Sequence, residues 1–130
     1  MKLRALIAII IITLFSACSD NPFDYRNKYT GDWVFKVRKT EENTVYPGYY
    51  NQSDIQYNGR IDNGATADLI IIRFLSGEQV EIGINKNNTY FNLPSNFAIN
   101  FSQDGNFVNF SWKRINDIAS TEFVVNGQRK

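Results

Sequence analysis

Histidine is absent from this 130-residue chain, and cysteine occurs once, at Cys18. The first absence removes the commonest general base and the commonest zinc ligand. The second leaves no partner for a disulfide. Neither a G-x-S-x-G nucleophile elbow nor a glycine-rich phosphate loop occurs. Catalysis would have to rest on carboxylates, lysine or tyrosine. Nearly all of the 13 acidic residues fall in expected turns or on outward strand positions, so the chain is not expected to be an enzyme, and no cofactor or metal is implied. Charge of one sign is also scarce, with 14 basic against 13 acidic residues. A nucleic-acid groove normally shows as a basic patch, so nucleic acid is not an expected partner. Beyond the first residues there is no long apolar run and no sustained 3.6-residue apolar period.

The one apolar run lies at the start. Lys2 and Arg4 precede Ala5 to Phe15, broken only by Thr13, and Ser16-Ala17 follow. This is the three-part build of a secretory signal. The run is too short to span roughly 30 Å of hydrocarbon, which takes about 20 apolar residues. Leu14-Phe15-Ser16-Ala17-Cys18 resembles a lipobox, in which small residues precede the cysteine that receives diacylglycerol. The resemblance implies a signal peptide over 1–17, a lipidated Cys18 at the head of a tether over 18–29, and a single domain over 30–130. A lone exported thiol would be reactive in an oxidising compartment, and acylation removes it. Loss of Lys2 and Arg4 leaves 12 basic against 13 acidic residues.

Past the tether, period-two alternation recurs, the mark of half-buried strands. Trp33, Phe35 and Val37 share one face, as do Ile55, Tyr57, Gly59 and Ile61, and Val80, Ile82 and Ile84. Further on come Phe97, Ile99 and Phe101, then Val108, Phe110 and Trp112, and Phe123 with Val125. Leu69 to Leu75 is apolar on both faces apart from Arg73, which predicts a strand covered on both sides. Asn63-Gly64, Ser76-Gly77, the Asn85 to Asn88 run, Pro94-Ser95-Asn96, Asp104-Gly105 and Asn116-Asp117 supply turn chemistry in the gaps. With a strand near Thr89 to Leu93, the expectation is an all-β, antiparallel up-and-down meander of about eight strands, forming a small or flattened barrel. Only the link from Thr40 to Ser53 reads as long.

Lys28-Tyr29-Thr30-Gly31-Asp32-Trp33, leading into an alternating strand, resembles the G-x-W opening of lipocalin-like barrels, whose tryptophan closes one barrel end. Together with the lipobox, the chain looks like the small lipocalin-like lipoproteins common in the Bacteroidota. The T-D-Y motif and the cysteine pair of the family are missing. The late arginine that stacks on the family tryptophan is matched by either Arg114 or Arg129. The resemblance implies the barrel and a ligand pocket. An eight-stranded barrel, however, holds little more than its own side chains, and the inward aromatics expected here are large.

Candidate contact residues follow from these readings. Tyr46, Tyr49 and Tyr50 lie in the long link, where loops on rigid scaffolds often bind, and tyrosine offers a flat apolar face with a polar tip. A carrier of one small apolar ligand would line its cavity with Trp33, Tyr57 and Trp112. The hairpin Asp62 to Asp68 gathers oxygen ligands of the kind calcium prefers, but reads better as a solubilised turn. Outward Lys36, Arg38 and Arg60 are offset by Asp54 and Asp62. The leading expectation is therefore a non-enzymatic binding or interaction module, anchored to a membrane through Cys18, with the outer membrane favoured. Its partner would be a small apolar ligand, a glycan or an envelope protein. The competing class is a structural or envelope-assembly lipoprotein that makes contact through a sheet edge or through exposed Ile70 and Ile72. A carboxylate-dependent enzyme ranks last.

Overall fold

A computed structural model of the chain describes residues 23–46 and 48–130. The signal peptide, Cys18 and the first part of the tether lie outside the described residues. A short 3-10 helix (Tyr25–Lys28) leads into eight antiparallel strands: β1 (Gly31–Asn43), β2 (Tyr50–Asn63), β3 (Leu69–Leu75), β4 (Glu78–Ile84), β5 (Tyr90–Phe91), β6 (Phe97–Phe101), β7 (Phe107–Ile115) and β8 (Ala119–Arg129). They form one sheet in the order β5-β4-β3-β2-β1-β8-β7-β6. Sequential strands are neighbours as expected, and the first strand pairs with the last. The exception is β5 beside β6, which share no ladder. There the Tyr90 hydroxyl instead accepts from the Phe101 amide at 2.9 Å, giving a nearly closed barrel.

The turns use the predicted chemistry. Gly77, Asn88, Asn96 and Gly105 all take positive φ, from 55° to 75°, the region that glycine and asparagine enter at least cost. The strand faces also follow the alternation. Trp33, Phe35, Ile61, Ile82, Ile84, Val108 and Phe123 are fully buried, and β1 alternates buried and exposed from Phe35 to Arg38, with Val34 half-buried.

Gly59 explains where the barrel departs from a regular cylinder. A Cβ at Gly59 would sit 2.0 Å from the Arg73 carbonyl and 2.7 Å from the Phe35 ring, so only glycine lets β2 and β3 meet there under that ring. The β2–β3 ladder runs only over Arg60↔Arg73 to Asn63↔Ile70. Beyond it, with a bulge between Arg73 and Leu75, the β3–β4 hairpin parts from the β2 ladder and its side chains reach across the interior. Bulges bend a strand in this way. Phe74 then packs edge-on against Phe110 and Phe123, at 5.1 and 5.4 Å between ring centroids, and Glu78 reaches Arg114 at 2.8 Å. The hairpin plugs the barrel.

Two expectations are corrected. Ile70 and Ile72 are fully buried inside the barrel, while Leu69, Ile71, Arg73 and Leu75 are half-buried on the other face. The strand is therefore covered fully on one side only, and the exposed Ile70 and Ile72 surface does not exist. The Thr40 to Ser53 link is also shorter than expected, because the β1–β2 ladder continues to Glu42↔Tyr50 and leaves only 44–49 between the strands.

The second half of the tether is part of the domain. Arg26 is buried and donates to the carbonyls of Thr66 and Leu69 at 2.8 and 3.0 Å. Its ion pair with Asp24 holds that carboxyl below its usual range, chiefly through the side-chain hydrogen bond. Tyr29 is fully buried and bonds the Asn88 side chain. The Tyr25 hydroxyl lies 2.8 Å from the Asp68 carboxylate and 2.7 Å from the Ile84 carbonyl.

Two predictions follow from this packing. Phe74→Ala removes the plug's anchor and should cost about 3–5 kcal/mol in chemical denaturation, the usual range for a buried phenylalanine; a loss under about 1 kcal/mol would mean the hairpin does not fill the barrel. Burial, and then the hydrogen bond to Asp68, push the Tyr25 phenol from 10.0 up to about 12. The folded state thus favours the neutral phenol, a stabilisation fully present below pH 10.0 and lost as pH rises through about 12. Melting curves across that window should show the wild type losing stability more steeply than Tyr25→Phe.

Candidate functional site

The strands of the barrel are unequal, and the inequality creates the site. β1, β2, β7 and β8 continue beyond the β3–β4 hairpin, so two of their hairpin tips, 44–49 and 116–118, stand clear at one end of the molecule. The 3-10 helix and the tether lie at the other end, beside the β2–β3 and β4–β5 turns. Each tip is closed by an asparagine. The Asn43 side chain accepts from the amides of Val45 and Tyr46 at 2.8 and 3.0 Å. The Asn116 side chain does the same for Ile118 and Ala119, at 3.0 and 2.7 Å. Such side-chain turns are what asparagine favours locally. Thr44 ties the tips together, its amide donating to the Ile118 carbonyl at 2.9 Å and its hydroxyl to the Asp117 carbonyl at 3.2 Å.

The paired tips carry most of the large apolar side chains that the domain exposes. Val45, Tyr46, Tyr49, Tyr50, Ile115 and Ile118 are each between 53% and 72% exposed. Tyr50 and Ile115 stand on the same outward row, linked through Glu42↔Tyr50, Glu42↔Ser120 and Ile115↔Ser120. Clustered exposed apolar groups mark contact surfaces, unlike scattered ones. Tyr46, Tyr49 and Tyr50 were legible as candidates, whereas Ile115 and Ile118 were not. Their only sequence signal is a pair of isoleucines flanking Asn116-Asp117, where polar residues would suit a turn.

Trp33, Tyr57 and Trp112 are not gathered around one cavity. Trp33 is fully buried at the tether end, stacked on Phe35 at 6.0 Å, with its Nε1 donating to the Tyr29 carbonyl at 2.8 Å. Tyr57 is half-buried on β2, level with Phe35. Trp112 is half-buried near the opposite mouth, between Phe97 and Phe123. The two tryptophans are about 20 Å apart along the strands, counted from the ladder registers. The Arg114 guanidinium lies 5.0 Å from the ring centres of both Trp112 and Phe123. Arg129, in contrast, is the register partner of Trp33 and donates to the Lys28 carbonyl at 2.8 Å. Of the two arginines, Arg129 sits beside the G-x-W tryptophan. The principal concavities among the described residues open on the outer faces of β1, β2, β6, β7 and β8, not into the core.

Charged groups near the inner mouth are paired off. Lys39 meets Glu41 at 2.9 Å, and this hydrogen bond holds the Glu41 carboxyl below its usual range. Glu78 is occupied by Arg114. Asp62 binds Arg60 and Arg73, while Asp68 faces Tyr25. The hairpin carboxylates therefore do not converge on a cation, and among the described residues no three His, Cys, Asp or Glu side chains are grouped to hold a metal. No helix among the described residues is long and apolar enough to cross a membrane. Comparison of the chain with protein-family models, with curated proteins and with solved structures returns no match.

Proposed function

We propose that this chain is a membrane-anchored lipoprotein, attached through Cys18, that acts as a non-enzymatic interaction module and presents the paired Tyr46 and Ile118 tips to a protein partner in the cell envelope, most naturally at the outer membrane. The observation that carries this reading is the position of the exposed apolar cluster at the opposite end of the fold from the tether. A lipid on Cys18 holds the tether end at the bilayer, since acyl chains contribute about 0.8 kcal/mol per buried CH₂. β1 spans about 40 Å from the tether end to the tip, at 3.3 Å per residue over 13 residues. The tip then faces away from the anchoring membrane. Exposed tyrosines beside isoleucines have the composition of the anchoring core of a protein interface.

The G-x-W resemblance supports kinship with lipocalin-like barrels at the level of architecture. Architecture does not carry function with it, and a barrel plugged by Phe74 favours contact on the outside over a small apolar ligand within.

The test uses the full chain in a lipoprotein-processing bacterium. Wild type should fractionate with membrane and carry acyl mass, and Cys18→Ala should do neither. A photo-cross-linking residue at position 46 or 118 should give one discrete protein adduct, and the same group at Lys86 in the β4–β5 turn should not. Tyr49→Ser with Ile115→Ser should weaken that adduct by about tenfold or more, the cost of truncating interface anchors. Their effect on stability should stay within about 0.5 kcal/mol, as for surface sites. Equal adducts at all three positions, or a soluble unacylated wild type, would refute the proposal.

A further inference from the structure

A second surface, separate from the tips, lies on the outer face of the sheet. Gln56, Lys36, Asn126, Asn109 and Asn100 stand side by side on five adjacent strands, fixed by the registers Lys36↔Gln56, Lys36↔Asn126, Asn109↔Asn126 and Asn100↔Asn109. All five are exposed. At about 4.8 Å between strands the row is roughly 19 Å long. Val34 and Phe107 lie on the row toward the tether end, and Val124 on the row toward the tip. Two concavities, of about 470 and 180 Å³, flank the row, and Lys36 and Asn126 line both.

The chemistry of the face is unusual in what it leaves open. Among the described residues, none of the four amides in the row hydrogen-bonds another side chain, whereas the neighbouring charges are consumed. Arg38 is held by Asp54 at 2.9 Å, and Arg60 by Asp32 at 2.9 Å and Asp62 at 2.6 Å. Lys36, at the second position of the row, has no ion-pair partner among the described residues. An amide both donates and accepts, as a sugar hydroxyl does, and the apolar Val34, Phe107 and Val124 on the flanking rows suit the C–H faces of a sugar ring. One unneutralised cation within an otherwise neutral row complements a single carboxylate.

We infer that this row is a binding groove for an acidic polysaccharide, a glycan whose repeating unit carries a carboxylate that Lys36 pairs with while Asn126, Asn109 and Gln56 bond its hydroxyls. One free cation is too few for nucleic acid, where each neutralised phosphate contributes to affinity. The scarcity of aromatic and arginine anchors along the row disfavours a protein. The inference stands independently of the tip and of lipidation at Cys18.

The experiment titrates the full-length chain in detergent with a hexamer of galacturonic acid and with the neutral hexamer of galactose, following amide resonances and heats. The acidic hexamer should bind up to about fivefold tighter, the upper worth of one exposed ion pair, and that preference should shrink as salt rises. Lys36→Gln should bring the acidic hexamer down to the neutral one. Asn126→Ala with Asn109→Ala should weaken both by about thirtyfold, at about 1 kcal/mol per lost hydrogen bond. Tyr46→Ser with Ile118→Ser should leave both unchanged. No binding of either hexamer, a preference for the neutral one, or binding indifferent to Lys36 and Asn126 would overturn the inference.

Discussion

β1 is paired along nearly its whole length on both flanks, to β2 from Gly31↔Ile61 to Glu42↔Tyr50 and to β8 from Trp33↔Arg129 to Asn43↔Ala119. That double ladder closes the first strand of the domain onto the last, so every other element takes its place from β1. The closure is held by side chains as well as by backbone. The Phe35 ring lies over Gly59 of β2 and Gly127 of β8, where an added Cβ would come within 2.7 Å of it on either side. Trp33, one step nearer the tether, stacks on Phe35 and meets Phe101. Because long-range strand pairing must overcome loop-closure entropy before it is rewarded, this aromatic seam is where the sequence concentrates its burial.

The same constraint explains why the barrel has an end where two hairpin tips stand clear and an end that closes. β1, β2, β7 and β8 outrun the β3–β4 hairpin, which Gly59 and the bulge before Leu75 release from the β2 ladder. Phe74 and the Glu78–Arg114 pair occupy the space that a ligand would need. At the tether end, Arg129, Arg26 and Tyr29 fasten the 3-10 helix across the opening. With the interior filled and one end sealed, the surfaces proposed for recognition, the apolar tips and the amide row, both lie on the outside.

Much of this was legible in the sequence, for one reason: period-two alternation is written by burial. Where a face is buried, as over Trp33 to Val37, Val80 to Ile84 and Val108 to Trp112, the strand could be read directly, and asparagine and glycine marked the turns. Where neither face is buried the signal vanishes. Thr40 to Asn43 and Tyr50 to Gln52 are polar or exposed throughout, so their ladder read as loop although the backbone pairing continues. Leu69 to Leu75 failed in the opposite sense, since its half-buried outer face carries apolar residues as the buried one does. Arg26 gave no sign of its buried role, because the carbonyls it satisfies lie forty or more positions away. Of the site, the tyrosines were visible as aromatics in a gap, whereas Ile115 and Ile118 became a surface only once Thr44 joined the two tips.

The central claim is one of direction, that the anchor and the contact surface lie at opposite ends of a filled barrel. Energy transfer from a dye at position 118 of the lipidated full chain to acceptors in the bilayer surface tests it most directly. With strands tilted about 40°, the dye should stand roughly 30 Å from the headgroups. Transfer at contact range, placing Ile118 among the headgroups, would contradict it.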